Sequence, residues 1–171
     1  MSNDVTISNG GKTVTMNNQY ASSIGKANTA RNTGKWYFEL TQDGGGTASP
    51  FGLCSENHVN GNYPNAVGGI VFYALNGNLY VNGAYASTAS WSGTAKPYTI
   101  GFAVDCDNKT VALYRNGAQI MAPTSYGSVS SSTWMVRPMM GSDATPAHTV
   151  TGRFDPADQL NAAPNGYTAG W

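Results

Sequence analysis

Charge is scarce in this sequence. Asp, Glu, Lys and Arg make up only 11% of 171 residues, nine of each sign, and the net charge is zero with both histidines neutral. A nucleic-acid binder needs a basic face to displace counterions, so that class is excluded as a partner. An electrostatic membrane anchor is excluded on the same ground. No stretch approaches the ~18 consecutive apolar residues of a membrane span, which argues against membrane insertion. Met1-Ser2-Asn3-Asp4 lacks the basic and apolar regions of a signal peptide. Synthesis in a cytoplasm is therefore expected, followed by residence there or exit inside an assembled particle.

Chemistry-bearing residues are equally thin. The only histidines are His58 and His148, and the only glutamates are Glu39 and Glu56. There is no Gly-x-Ser-x-Gly elbow and no cysteine beside a histidine, so no nucleophile is set up for catalysis. Two histidines without a cysteine pair make no zinc set. Asp105 and Asp107 flank a turn and cap it most simply, too thin a cluster for calcium. Neither a cofactor nor a metal is expected, and the chain reads as a non-enzyme. Two cysteines do not make a disulfide framework. Cys54 and Cys106 each end a predicted strand and share its apolar face, and cytoplasmic synthesis favours buried free thiols there.

What is present is a β pattern. Residues 98–120 read YTIGFAVDCDNKTVALYRNGAQI. Ile100, Phe102, Val104 and Cys106 alternate with Gly101, Ala103 and Asp105, a period of two with one apolar face. Asp107-Asn108 is turn chemistry, residues 110–115 run back, and Asn116-Gly117 is a type I′ hairpin signal. Further strands are expected at 5–8, 13–16, near 20–24, 35–41, 50–55, 69–74, 78–81, 134–140 and 148–154. In the fourth of these Trp36, Phe38 and Leu40 face one way, Tyr37 and Glu39 the other. Pro138 implies an edge or bulge position for its strand. Long loops are expected at 56–68, 84–96, 123–133 and 141–147, with a flexible tip at 43–46. No helical period appears, save a single turn beginning at Gln159-Leu160. The class is all-β: a two-sheet antiparallel sandwich. One domain is expected over residues 1–171, with an N-terminal hairpin and loop over 1–33, the sandwich core over 34–154 and a wrapping tail over 155–171. A chain of this size buries about 68–70% of its unfolded surface, enough for a core without staples.

Five motifs resemble, in order, those of the SPRY domain, a bent β-sandwich with a concanavalin A-like jelly-roll shape. They are Gly34-Lys35-Trp36-Tyr37-Phe38-Glu39-Leu40, Phe51-Gly52-Leu53-Cys54, the stretch from Phe72-Tyr73 to Asn82-Gly83, the Tyr114-Arg115-Asn116-Gly117 hairpin, and Phe154 with Pro164 and Gly166-Tyr167. The match covers about residues 30–170. The compact, Gly/Ser/Thr/Asn-rich form is similar to SPRY modules of bacteriophage virion proteins. The resemblance implies a virion location and a binding or assembly role, as fibre, spike or decoration protein. The partner would be a host-surface glycan or another virion protein, and a homo-oligomer is compatible with symmetric particles.

The resemblance also implies that ligands meet loops at one edge of the sandwich. The loops here carry Asn57, His58, Asn62, Tyr63, Tyr85, Trp91, Tyr126, Ser142 and Asp143. Rings supply rigid contact area, and amides, hydroxyls and carboxylates supply directed hydrogen bonds. Tyr63, Trp91 and Tyr126 equally suit the anchoring of their own loops. Two alternatives stay open. A carbohydrate-active enzyme on the same architecture needs two acids converging in one cleft. An intracellular peptide-binding adaptor needs an exposed sheet edge or a groove.

Overall fold

Alternating apolar residues and Asn-Gly turns build two antiparallel sheets that bury their facing sides. The computed structural model describes residues 5–16, 24–44, 50–56, 58, 67–93, 95–129, 135–141 and 148–171. Its strands are β1 (Val5–Ser8), β2 (Thr13–Met16), β3 (Ile24–Lys26), β4 (Lys35–Gly44), β5 (Pro50–Ser55), β6 (Gly69–Tyr73) and β7 (Asn78–Val81). There follow β8 (Ala84–Thr88), β9 (Tyr98–Asp105), β10 (Thr110–Arg115), β11 (Ala118–Ser125), β12 (Val136–Gly141), β13 (His148–Arg153) and β14 (Thr168–Ala169). The first sheet runs β1-β2-β13-β4-β9-β10-β11, and the second β3-β12-β5-β6-β7-β8. The two-sheet antiparallel sandwich read from the sequence is the observed architecture.

The core lies between the sheets. Phe38, Leu40, Ile100, Phe102, Val104, Val111 and Leu113 from the first meet Phe51, Leu53, Ile70, Phe72 and Leu79 from the second. The Phe38 and Phe102 rings stack at 5.2 Å across the β4/β9 pair. Each such side chain contributes roughly 1.5–3 kcal/mol by leaving water. The turn at Asn116-Gly117 has φ of 52° and 76° at its central residues, the left-handed geometry that Asn and Gly tolerate.

β4 behaves as its alternation dictates. Trp36, Phe38 and Leu40 pack on the core. Tyr37 points to the opposite face, where Ala103, Ala112, Tyr114, Ala163 and Tyr167 surround it. That outer face is covered by the C-terminal tail. β14 pairs in parallel with Trp36 and Tyr37 of β4, while β13 pairs with residues 39–44 of the same strand. The two thus share one edge of β4 end to end.

Several elements differ from the sequence expectation. Residues 84–88, read as loop, form β8, because Tyr80 and Val81 offer them a partner strand across Asn82-Gly83. β11 continues through Pro123 to Ser125, since β10 pairs with it as far as Thr110. β4 runs on through Asp43 and Gly44 into the expected tip, held by Thr149 and Val150. Pro138 sits neither on the edge nor at a bulge: β12 lies between β3 and β5. Its carbonyl accepts from Ala27 N–H, so its hydrogen-less nitrogen faces the side where the chain leaves β3. The helical turn falls earlier, at Pro156–Asp158, because the Asp155 carboxylate caps Ala157 N–H. Cys54 and Cys106 are free and buried as expected, but only Cys106 lies on the core face of its strand. Cys106 joins the core, whereas Cys54 packs with Val71 and Met139 on the outer side of the second sheet. The expected strand residues 20–23 and the tip residues 45–46 lie outside the described residues.

Candidate functional site

A four-residue turn at 74–77 and a two-residue turn at 82–83 decide which side chains meet on the outer face of the second sheet. The Asn82-Gly83 turn pairs Tyr80 with Tyr85, and the hairpin before it pairs Tyr73 with Asn78 and Val71 with Tyr80. Period two then places Tyr73, Tyr80 and Tyr85 on one side. Their rings meet edge to face, 5.5 Å between Tyr73 and Tyr80 and 6.4 Å between Tyr80 and Tyr85. Such pairs contribute about 0.5–1.5 kcal/mol beyond their burial. Exposure rises along the ladder: Tyr73 and Tyr80 are half-buried, and Tyr85 is 60% exposed.

Polar groups orient its outer rung. Tyr85 Oη lies 2.8 Å from Thr88 Oγ1, and Thr88 Oγ1 donates to Asn78 Oδ1 at 3.0 Å. Under the ladder, Cys54, Val71 and Met139 are fully buried against Tyr73. Burial pushes the Cys54 thiol up to about 11, with Lys26 and Arg137 pulling weakly the other way. The surface is thus a rigid aromatic strip with a hydroxyl and an amide at its exposed end. It offers stacking area and directed hydrogen bonds.

The described site residues do not gather in one place. Tyr85 stands on this strip, on a strand face instead of in a loop. Trp91 is half-buried against the core, 5.5 Å from the Tyr98 ring, with the Arg115 guanidinium 4.3 Å above it. Tyr126 is 1% exposed; its hydroxyl donates to the Asp105 carbonyl at 3.4 Å, and burial raises its pKa. His58 is 2% exposed, and its carbonyl accepts from Lys26 Nζ at 2.7 Å. Trp91 and Tyr126 therefore anchor their own segments. Asn57, Asn62, Tyr63, Ser142 and Asp143 lie outside the described residues. Tyr73 and Tyr80 escaped the sequence reading of the site. The signal was available: a two-residue turn at 82–83 forces residues 80 and 85 opposite each other.

Glu39 and Asp105 are occupied by structure. Glu39 is fully buried. Its carboxylate accepts from Tyr37 Oη at 3.0 Å, Leu160 N at 2.7 Å, Asn161 N at 3.1 Å and Asn161 Nδ2 at 2.8 Å. It is the clamp that holds the tail on the first sheet. Asp105 accepts from Asp107 N, Asn108 N and Asn108 Nδ2, and pairs with Lys35 at 3.1 Å. Among the described residues, no three His, Cys, Asp or Glu gather as a metal would require, and no helix is long and apolar enough to cross a membrane.

Neither a protein-family model nor a curated protein sequence matches the chain. Solved structures do. The SPRY domain of human HERC1 superposes with a TM-score of 0.70, over 87% of this chain and 91% of that one, at 18% identity. The PSpry domain of TRIM65 does so with a TM-score of 0.64, over 89% and 86%, at 10% identity. The five motifs, the two-sheet topology and these superpositions lead to one conclusion: the chain has the fold of the SPRY domains.

Proposed function

We propose that this chain is a non-enzymatic recognition module of a bacteriophage particle. It would serve as fibre, spike or decoration protein and bind a host-surface glycan or another virion protein. The observation that carries the recognition role is the tyrosine ladder ending at exposed Tyr85. Rigid aromatic area with a directed hydroxyl and amide at its rim is what hot spots and sugar-stacking platforms share. The non-enzymatic reading is supported by Glu39 and Asp105, whose carboxylates are engaged by several donors each. The particle location rests on the compact, Gly/Asn/Ser-rich form of the motifs and on a surface without net charge. Asn57, Asn62, Tyr63, Ser142 and Asp143 belong to the proposal on the strength of their chemistry alone.

The test is a panel of bacterial surface glycans titrated into the purified chain and read by intrinsic fluorescence. Saturable binding lost in Tyr85→Ala, with the folded circular-dichroism spectrum retained, supports glycan recognition on this face. Binding that survives Tyr85→Ala refutes the face. Silence across the panel refutes the glycan and leaves protein docking on the particle.

A further inference from the structure

A concave surface lies on the first sheet, away from the tyrosine ladder. It is a cleft of about 380 Å³ between the end of β10, the outer side of β4 and β9, and the tail. That volume falls in the ~300–1,000 Å³ range of small-molecule sites. Among the described residues, two of the chain's nine cations, Arg115 and Arg153, line it, with Asp43 as the acid.

Neither guanidinium has a carboxylate partner among the described residues. The ion pairs there are Lys12 with Asp158 and Lys35 with Asp105. Arg153 donates to neutral oxygens only, Nε to Thr41 Oγ1 at 2.9 Å and Nη1 to the Asp158 carbonyl at 3.1 Å. Arg115 Nε is buried without a hydrogen-bond partner. Buried polar atoms are ordinarily paired, so an orphan on a cleft-lining arginine calls for a cause. The Trp91 face, 4.3 Å away, holds the guanidinium in place. An arginine fixed on a ring and short of an acceptor is pre-organised for an oxyanion.

The lining also selects among anions. Arg115, Arg153 and Asp43 sum to one positive charge, which matches a carboxylate better than a dianionic phosphate. Thr99 and Asn161 add a hydroxyl and an amide, and Leu160, 61% exposed, adds an apolar wall. A carboxylate attached to a hydroxylated ring uses all of these. We propose that this cleft binds a carboxylated sugar of the uronic acid type, with Arg115 taking the carboxylate. The site is independent of the tyrosine face.

The experiment is calorimetric titration of the full chain with D-glucuronate, against D-glucose, acetate and inorganic phosphate. The expected result is saturable glucuronate binding with each of the other three at least ten-fold weaker. Arg115→Gln should weaken glucuronate about ten-fold or more, as loss of a charged hydrogen-bond pair implies. Arg115→Lys, which keeps the charge and the stem, should show a smaller loss at an unchanged melting temperature. Tyr85→Ala should leave the affinity unchanged, which separates this site from the face proposed above. Glucose, acetate or phosphate matching glucuronate overturns the assignment. So does an Arg115→Gln variant that binds as tightly as the parent, or the absence of saturable glucuronate binding.

Discussion

Replacing Glu39 by alanine should release the C-terminal tail. The carboxylate is fully buried and serves four donors, three of them on Leu160 and Asn161. Hydrogen bonds to a charged acceptor contribute about 1.5–3 kcal/mol each, and an orphaned buried donor costs about 1–3 kcal/mol. The tail donors can rehydrate by lifting off, which limits the loss, while the Tyr37 hydroxyl stays buried without its acceptor. Relief of a desolvated charge offsets part of the remainder. The net loss expected for Glu39→Ala is about 3–4 kcal/mol. At about 2–4 °C per kcal/mol for a domain of this size, the melting temperature should fall by about 6–16 °C. Glu39→Gln should recover only part of this, since its amide nitrogen must face one of the donors. Thermal unfolding by circular dichroism measures the loss. Hydrogen exchange at the Leu160 and Asn161 amides locates it, and should speed up in both variants. A loss below about 1 kcal/mol, or unchanged exchange at those amides, would refute the clamp.

Other consequences concern glycine, cysteine and aspartate. A Cβ at Gly101 would lie 2.1 Å from Tyr37 Oη and 2.6 Å from two ring carbons, so Gly101→Ala should cost about 1–3 kcal/mol in urea unfolding; a neutral effect would show that Tyr37 yields easily. Burial pushes both thiols to about 11, so Cys54 and Cys106 should resist a disulfide reagent at pH 8 and react in guanidinium. Rapid labelling of the folded chain would contradict this. Burial pushes the Asp105 carboxyl up, but the Asn108 side-chain and backbone donors and Lys35 outweigh it and leave the pKa below its ordinary value. Its contribution to stability is then complete above the unfolded value of ~3.9 and fades as pH falls through the folded one. Asn108→Ala should raise the Asp105 pKa by carboxyl NMR and move acid unfolding to higher pH; an unmoved titration would refute the role of the turn.

The meander of β9 and β10 was legible because alternation and Asn116-Gly117 agree with each other. β8 and β14 were not. Ala84, Ala86 and Ser87 carry no apolar period, and β8 exists because β7 offers it an edge. β14 depends on pairing with β4, more than 130 residues earlier in the chain. All six residues of β5 are buried, so no amphipathic contrast in the sequence separates the Leu53 side from the Cys54 side. In the site, Tyr85 was recognisable by type, while Trp91 and Tyr126 show that ring chemistry alone does not tell inward from outward. Glu39 is placed by alternation on the Tyr37 side of its strand, but its tail donors are visible only once the chain has folded back over it.

The central claim is that recognition occurs on the outer face of the second sheet. Ring-resolved NMR of tyrosine-labelled protein tests it most directly, with the glycans of the panel added in turn. The account predicts that the Tyr80 and Tyr85 ring resonances shift together and saturate, while those of buried Tyr37 and Tyr126 stay fixed. Saturable binding that leaves Tyr80 and Tyr85 unmoved would contradict it.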